Sequence, residues 1–138
     1  MASIDPTRAQ IDQVIADSGS KTGPIRMINL LKFREVANYG DLPDPAEGGA
    51  STGVEAYARY AEVAMAEVQK VGGSQFYSGI ADMTVIGPES ESWDLVAIIE
   101  YPNRAAFLKM ISSPDYQACA FHRTASLADT RIIMTTPL

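Results

Sequence analysis

Residues 25–33 read IRMINLLKF, an apolar run with one basic residue near each end. Residues 93–101 repeat this design as WDLVAIIEY, with one acidic residue near each end of an apolar middle. Apolar side chains on both alternating sets of positions are typical of a strand that is buried on both faces. The two runs therefore predict two central strands of one sheet.

Two further apolar runs complete the predicted sheet. Residues 73–86 form the second strand, in which Gly79 and Asp82 indicate a bend or bulge, and residues 131–136 form the last strand. Helical spacing separates the first strand from the second and the third from the fourth, so the element order is β-α-β-β-α-β. Right-handed crossovers place the first and third strands at the centre of such a sheet. The sequence therefore predicts an α+β fold of the ferredoxin-like class, with a four-stranded antiparallel sheet.

Helix start signals fix the remaining core elements. Thr52 and Glu55 have the spacing of a capping box at the start of the first long helix. Pro102-Asn103 begins the next helix, and Ser113-Pro114 begins a second, short helix that ends before His122. These signals agree with two helical connections on one side of the sheet.

The N-terminal residues predict one more helix. Asp5 followed by Pro6 is a typical helix start and predicts a helix over residues 6–17, outside the core motif. Its apolar stripe is thin, which favours docking on a groove or a partner. We therefore expect a helical extension over residues 1–23, followed by a ferredoxin-like domain over residues 24–138.

The connection after the first strand is unusually long. Residues 34–53 are rich in Gly, Pro and acidic residues. Connections of this length are uncommon in compact domains, and they usually serve a function or lack order. The sequence therefore predicts either a lid or a disordered insertion here.

Composition limits the partners of the chain. The 138 residues are 46% hydrophobic, enough for one core, and carry 11 basic and 17 acidic side chains for a net charge of −6. The basic residues are scattered, so we expect no nucleic acid and no membrane surface as a partner. No run resembles a secretory signal or a membrane span, and the single Cys119 permits no intrachain disulfide. A cytoplasmic location is the simplest expectation.

The predicted architecture leaves one face of the sheet uncovered. Two helices cover one side, while the central strands are apolar on both sides. A soluble monomer rarely exposes such a patch. Pairing two sheets face to face in a symmetric dimer removes it. The sequence therefore predicts a homodimer.

Several short strings resemble the domain-of-unknown-function 1330 family over roughly residues 24–136. They are MINLLKFR (27–34), YARY (57–60), VGG (71–73), WD (93–94), EYP (100–102), SPDYQ (113–117) and HR (122–123). The resemblance implies a dimeric α/β-barrel, in a ferredoxin-like superfamily that also contains cofactor-free monooxygenases, haem-degrading enzymes, chlorite dismutase-like proteins and small-ring isomerases. The family has no settled activity, so the resemblance assigns no catalytic residue.

His122 is the leading candidate for a catalytic residue. It is the only histidine of the chain, and its proton equilibrium falls near neutral pH, as a general base requires. The alternative is a structural role near a helix end. Arg123, next in sequence, either orients a carboxylate or phenolate of a substrate or pairs with Asp94, Glu100 or Asp115.

Three more residues are candidate substrate contacts. Asn29 interrupts the apolar stripe of the first strand, so its buried amide needs a partner, which is a side chain, a water or a ligand. Tyr60 and Trp93 combine apolar surface with a polar tip, which suits either packing or the wall of a pocket. Packing is the commoner role for such aromatic residues.

Metal and cofactor signals are weak. Cys119 and His122 lie three positions apart but provide too few ligands for a metal, and a lone cysteine in an Ala-rich helix is usually a small buried hydrophobic residue. The glycine-rich nucleotide motifs and the Gly-x-Ser-x-Gly elbow of hydrolases do not occur in the sequence. We therefore expect neither a metal nor a cofactor.

Two functional hypotheses follow. The first is a cofactor-independent enzyme of oxygenase or isomerase type that acts on a small, largely apolar metabolite, with His122 handling a proton. The second is a non-catalytic dimer that binds or senses a small molecule. The fold leaves this choice open, because one fold hosts many functions.

Overall fold

The computed structural model describes residues 2–138, which form one four-stranded sheet and its helices. The elements in chain order are α1 (Arg8–Ser18), β1 (Ile25–Phe33), α2 (Gly53–Lys70), β2 (Ser74–Ile80), β3 (Leu95–Tyr101), α3 (Arg104–Ile111), α4 (Pro114–Ser126) and β4 (Leu127–Thr135). The sheet order is β2-β3-β1-β4, and every neighbouring pair is antiparallel. The predicted ferredoxin-like α+β fold is confirmed, with β1 and β3 at the centre.

The core lies between one face of the sheet and the helices. Ile25 and Met27 of β1 are buried there with Tyr101 of β3, and they contact Val68 of α2 and Met110 of α3. Burial of one such aliphatic side chain contributes about 1.5–3 kcal/mol to folding. The odd-numbered side chains of β1 therefore fasten the helices to the sheet.

The even-numbered side chains of β1 point to the opposite side, which we call the outer face. It is formed by Arg26, Ile28, Leu30 and Lys32 of β1, Val96, Ile98 and Glu100 of β3, Arg131, Ile133 and Thr135 of β4, and Phe76 and Tyr77 of β2. Phe76, Tyr77 and Ile133 are each more than half exposed. Within residues 2–138, no helix covers the outer face, so its apolar side chains remain partly exposed.

The second predicted strand is too long. β2 ends at Ile80, which pairs with Leu95, the first residue of β3. The chain bends at Asp94, whose amide donates to the Leu31 carbonyl oxygen at 2.8 Å, and β3 starts at Leu95, two residues later than predicted. Residues 82–86 consequently have no strand beside them. The irregularity within β2 lies at Phe76, and the predicted bend at residues 79–82 is wrong in position.

The last strand and the helices also differ in their bounds. α4 runs for 13 residues, where a short helix is predicted. β4 follows it directly and begins at Leu127, earlier than the predicted start at residue 131. α1 begins two residues after the predicted start, since the Thr7 hydroxyl accepts a hydrogen bond from the Gln10 amide and completes a capping box. The capping box of Thr52 and Glu55 at the start of α2 is confirmed.

Residues 34–53 are bonded to the end of α4. The Arg34 amide donates to the Ser126 carbonyl oxygen, and the Asn38 amide donates to the Ala125 carbonyl oxygen, both at 2.8 Å. Within the loop, the Ala37 amide donates to the Ser51 carbonyl oxygen at 2.9 Å. The loop therefore lies against the end of α4 in a defined path.

Gly53, where this loop meets α2, allows a close approach of three backbone segments. A Cβ atom at this position would collide with the Arg34 carbonyl oxygen and would lie 2.8 Å from the Ser126 carbonyl oxygen. Only glycine lacks that atom, so it permits the junction. The start of α2, the end of β1 and the end of α4 meet at this residue.

The N-terminal segment runs along the edge of β4. The Thr130 amide donates to the Ser3 carbonyl oxygen at 2.9 Å, and the Ser3 amide donates to Asp129 Oδ1 at 2.8 Å. α1 then packs against α3. Within residues 2–138, no helix is long and apolar enough to cross a membrane.

Candidate functional site

His122 lies inside α4, and the sequence prediction that places it after a short helix is wrong. The helix continues to Ser126, so His122 stands one turn before its end. It lines an open groove of about 380 Å³ between α2 and α4. The groove is formed by Val63, Glu67, Asp115, Ala118, Cys119 and His122.

A tyrosine from the long loop fixes one nitrogen of this histidine. The Tyr39 hydroxyl lies 2.8 Å from His122 Nδ1, and Arg59 Nη1 donates to the same hydroxyl oxygen at 3.0 Å. Arginine can only donate, so the proton of the Tyr39 hydroxyl is left to bond Nδ1. We assign the neutral imidazole the tautomer that carries its own proton on Nε2, because this tautomer gives the Tyr39 hydroxyl proton an acceptor.

The chain of hydrogen bonds continues into the loop. Arg59 Nη1 also donates to Ser51 Oγ at 2.8 Å, and Ser51 Oγ donates to Asp44 Oδ1 at 2.6 Å. The hydroxyl of Ser51, and next the amides of Ala46 and Ser51, lower the pKa of the Asp44 carboxyl group. We call Asp44, Ser51, Arg59, Tyr39 and His122 the latch network. It joins the loop to α2 and α4.

The surroundings keep His122 neutral. Burial lowers its pKa below 6.5, and the positive charge of Arg59 lowers it further. Nε2 has no hydrogen-bond partner among residues 2–138, yet no unbonded polar side-chain atom is buried there. Nε2 is therefore open to solvent. In this arrangement His122 can donate a hydrogen bond to a molecule in the groove.

The groove floor contains an ionised carboxylate. The Glu67 side chain is buried, and its oxygens accept hydrogen bonds from Lys70 Nζ at 2.7 Å and from Ser113 Oγ at 3.2 Å. The Lys70 bond is the main cause that lowers the pKa of Glu67. A buried charge of this kind is stable only because it is paired.

Cys119 also lines this groove, but its thiol is not suited to act as a nucleophile. It is buried, its thiol donates to the Tyr116 carbonyl oxygen at 3.2 Å, and burial raises its pKa. The thiol therefore stays protonated at neutral pH, whereas a nucleophile needs the thiolate. Among residues 2–138, no three side chains of the His, Cys, Asp and Glu types converge as metal ligands.

Tyr60 lies elsewhere, on the side of α2 that faces the Tyr116 side chain. Its hydroxyl lies 3.0 Å from the Tyr116 hydroxyl, and the rings meet edge to face. Burial raises the pKa of Tyr60 well above 10, and the neighbouring Tyr116 raises it further. The two hydroxyl groups therefore hydrogen-bond to each other between α2 and α4.

Arg123 anchors the N-terminal segment. Its guanidinium donates to the Ile4 carbonyl oxygen at 2.7 Å and lies 3.6 Å from the Asp5 carboxylate. Its predicted pairing with Asp94, Glu100 or Asp115 is wrong, because the N-terminal segment occupies it.

Asn29 and Trp93, two further predicted site residues, lie away from the groove and from each other. Asn29 is half buried on the helix-facing side of β1, where its amide donates to the Met27 carbonyl oxygen at 3.0 Å. Trp93 lines a separate depression of about 300 Å³ near Lys32 and Asp129, with the Arg131 guanidinium 5.3 Å from its ring centre. Of the predicted site residues, only His122 lines the groove between α2 and α4.

Sequence reasoning missed the partners of His122. Arg59 lies within the YARY string, but nothing there indicates its bond to a loop hydroxyl. Tyr39 stands in the Gly- and Pro-rich loop, 83 residues before His122. No local pattern predicts a contact over such a separation.

Comparisons with known proteins identify the family. A crystal structure of a protein of unknown function from Rhodopseudomonas palustris is 37% identical, with a TM-score of 0.87 and coverage of 100% of this chain and 98% of that chain. The methylated form of that protein is 39% identical with a TM-score of 0.89, over 99% of this chain and 96% of that chain.

More distant structures share the fold alone. A protein of unknown function from Bacteroides fragilis, described as dimeric and ferredoxin-like, is 14% identical with a TM-score of 0.50, over 85% of this chain and 99% of that chain. No curated protein matches the chain. The model of the Domain of unknown function (DUF1330) matches residues 50–136, so the β1 string lies before the matched stretch. On this match, which covers more than half of its residues, the chain belongs to the DUF1330 family.

Proposed function

We propose that the chain is a cofactor-independent acid–base enzyme that binds a small, largely apolar molecule with an oxygen acceptor in the groove between α2 and α4. One observation carries this proposal: His122 lines the groove, Tyr39 bonds its Nδ1, and its Nε2 is left without a partner among residues 2–138. A neutral imidazole in a fixed tautomer suits hydrogen bonding to a carbonyl or enol oxygen.

The latch network offers a route for a proton. When Nε2 gives its proton to the ligand oxygen, Nδ1 takes the proton of the Tyr39 hydroxyl. The tyrosinate that remains lies 3.0 Å from Arg59 Nη1, whose positive charge stabilises it. The reverse transfers restore the resting state. This relay supplies the general-acid half of an isomerase-type reaction.

A second candidate is a non-catalytic dimer that binds or senses the same molecule. The observation that favours it is the engaged lone pair of Nδ1, which leaves the resting imidazole with a donor and no free base. In this case Nε2 serves recognition alone. Asn29, Tyr60, Trp93 and Arg123 lie outside the groove, so both candidates rest on His122.

We further propose that the chain works as a homodimer joined through the outer face. The exposed apolar side chains of Phe76, Tyr77 and Ile133 support this assembly, because a second copy would remove them from water. The Bacteroides fragilis protein, described as dimeric, gives further support. A cytoplasmic location agrees with the single cysteine, which permits no intrachain disulfide.

The single histidine makes the proposal directly measurable. Nitrogen NMR of the imidazole reports which nitrogen carries the proton, and we expect Nε2. Small carbonyl compounds and phenols are then added, and ligands of the groove are identified by the shift of the His122 signals. A binder that leaves these signals unmoved would place its site elsewhere and contradict the proposal.

Tyr39→Phe separates the two candidates, because it keeps the ring and removes the proton relay. For an enzyme, we expect ligand binding to persist while turnover falls by about 100-fold or more. Tyr57→Phe is the matched control, since it removes a tyrosine hydroxyl that lies outside the latch network and has no hydrogen-bond partner among residues 2–138, and it should leave turnover unchanged. Recovery of every bound ligand chemically unaltered by the wild-type protein would favour the binding module.

A further inference from the structure

The connection between β2 and β3 carries a cluster of exposed apolar side chains. Ile80 is 79% exposed, Met83 75%, Val85 81% and Ile86 95%. Ile80 pairs with Leu95 and so belongs to the helix-facing set of side chains, whereas Met83, Val85 and Ile86 lie beyond the end of β2. Single exposed apolar residues are ordinary, but three within four positions are typical of an interaction surface. The cluster follows directly from β2, whose Phe76 already lies on the outer face.

The backbone of this segment is also unpartnered. The Ala81 amide still donates to the Asp94 carbonyl oxygen at 3.0 Å, but residues 82–87 make no hydrogen bond to any group in residues 2–138. Their sequence has the apolar, β-branched character of a strand, as its prediction through residue 86 reflects. A strand-like segment with free backbone groups is suited to pair with another chain.

We propose that residues 81–87, which we call the arm, pack against a second copy of this chain within the homodimer. The inference rests on the proposed homodimer and names a segment that completes it. By two-fold symmetry, each arm would cover the same surface on the other copy, so its contribution counts twice. The partner contact would lie along the rim of the outer face.

The anchoring of the arm points to a second copy as its occupant. Before the arm, Phe76 stacks under the Arg26 guanidinium on the outer face, at 3.8 Å. After the arm, Glu91 reaches Arg131 at 3.3 Å, and Lys32 Nζ donates to Ser92 Oγ at 2.7 Å. The arm therefore leaves from and returns to the outer face, on the side where a second sheet would lie.

Charge favours the same occupant. Asp82 is the one charged residue of the arm. Of the basic residues on the outer face, Arg26 is paired with Glu100 and Arg131 is paired with Asp129 and Glu91. Two copies with a net charge of −6 each repel on average, so a surface that joins them needs apolar contact and local complementarity. The arm supplies the apolar contact, and Lys32, whose ammonium group bonds only the Ser92 hydroxyl among residues 2–138, is the basic group of the outer face that can meet Asp82 of a second copy.

The test replaces Val85 and Ile86 with aspartate and measures the dimer dissociation constant by sedimentation equilibrium. Both side chains are almost fully exposed within one chain, so the variant should fold, as circular dichroism would verify. We expect dissociation to become easier by about tenfold or more for each side chain lost from a buried contact. Leu42→Asp, at an exposed apolar position of the long loop, is the matched control and should leave the constant unchanged.

Ile133→Asp on the outer face separates failure of the arm from failure of the dimer. If both variants dissociate, the arm and the face act together as proposed. If Ile133→Asp dissociates and the arm variant does not, the arm proposal is overturned and the homodimer stands. If the arm variant alone dissociates, the arm stands and the face-to-face assembly falls. A wild-type monomer at micromolar concentration overturns both.

Discussion

At the scale of single residues, His122 links the long loop to the helices through a bond that depends on its protonation. In the assigned tautomer the Tyr39 hydroxyl donates to Nδ1, so protonation of the imidazole reverses this bond, and Nδ1 then donates to a hydroxyl oxygen that already accepts from Arg59. Protonation also places a second positive charge near Arg59. Glu55 and Asp44 interact with that arginine, and they offset only part of the repulsion.

This geometry predicts a pH dependence of stability. Burial, and then the charge of Arg59, lower the pKa of His122 below its unfolded value of 6.5, so the unfolded chain binds the proton at higher pH than the folded chain does. The contribution of His122 to the free energy of unfolding is therefore fully present above pH 6.5 and decreases as the pH falls below 6.5. Below the pKa of the folded state, this contribution no longer changes with pH. Urea unfolding between pH 5 and pH 8 measures the effect.

His122→Gln supplies the control for this measurement. It keeps a polar side chain and removes the titrating group, and the chain contains no second histidine. The variant should lose the slope just below pH 6.5 that the wild-type protein shows. The same slope in both proteins would show that another group is responsible.

At the scale of elements, the junction of β1, α2 and α4 depends on Gly53. Gly53→Ala would force a Cβ atom into the backbone carbonyl oxygens of Arg34 and Ser126, neither of which can turn away as a side chain could. We expect a loss of about 1–3 kcal/mol in the free energy of unfolding, as overpacked sites typically show.

Gly49→Ala in the same loop is the matched control for Gly53→Ala. A Cβ atom there meets nothing within 4 Å, and its φ angle is not in the left-handed region. Chemical denaturation should show a large decrease in the free energy of unfolding for Gly53→Ala and little or none for Gly49→Ala. Equal losses would mean that loop entropy, rather than the close junction, controls stability.

The elements also show what a sequence can predict and where it fails. The two-sided apolar patterns of β1 and β3 correctly place them at the sheet centre, and Thr52 with Glu55 correctly marks the start of α2. Residues 82–86 have a strand-like sequence without a strand partner, because pairing needs a neighbour that local sequence does not specify. The same reason hides Tyr39 from prediction, since its contact with His122 depends on the path of the whole loop.

At the scale of the whole molecule, the proposed homodimer predicts a stability that depends on protein concentration. Only the folded chain can present this face to a second copy, so dimer formation stabilises the folded state by mass action. We expect the midpoint of thermal unfolding to rise with protein concentration in the wild-type protein. In Ile133→Asp, it should change much less, since the charge opposes burial of the face. A midpoint independent of concentration in the wild-type protein would contradict the assembly.

The bond between Ser3 and Thr130 has a practical consequence for handling the protein. A strand at the edge of a sheet offers free amides and carbonyl oxygens on which other chains can polymerise. Ser3 occupies one such position on β4 and so blocks growth of the sheet at that point. A purification tag fused close to Ser3 would compete with this protection and favour aggregation, whereas a tag after residue 138 would leave the blocked edge intact.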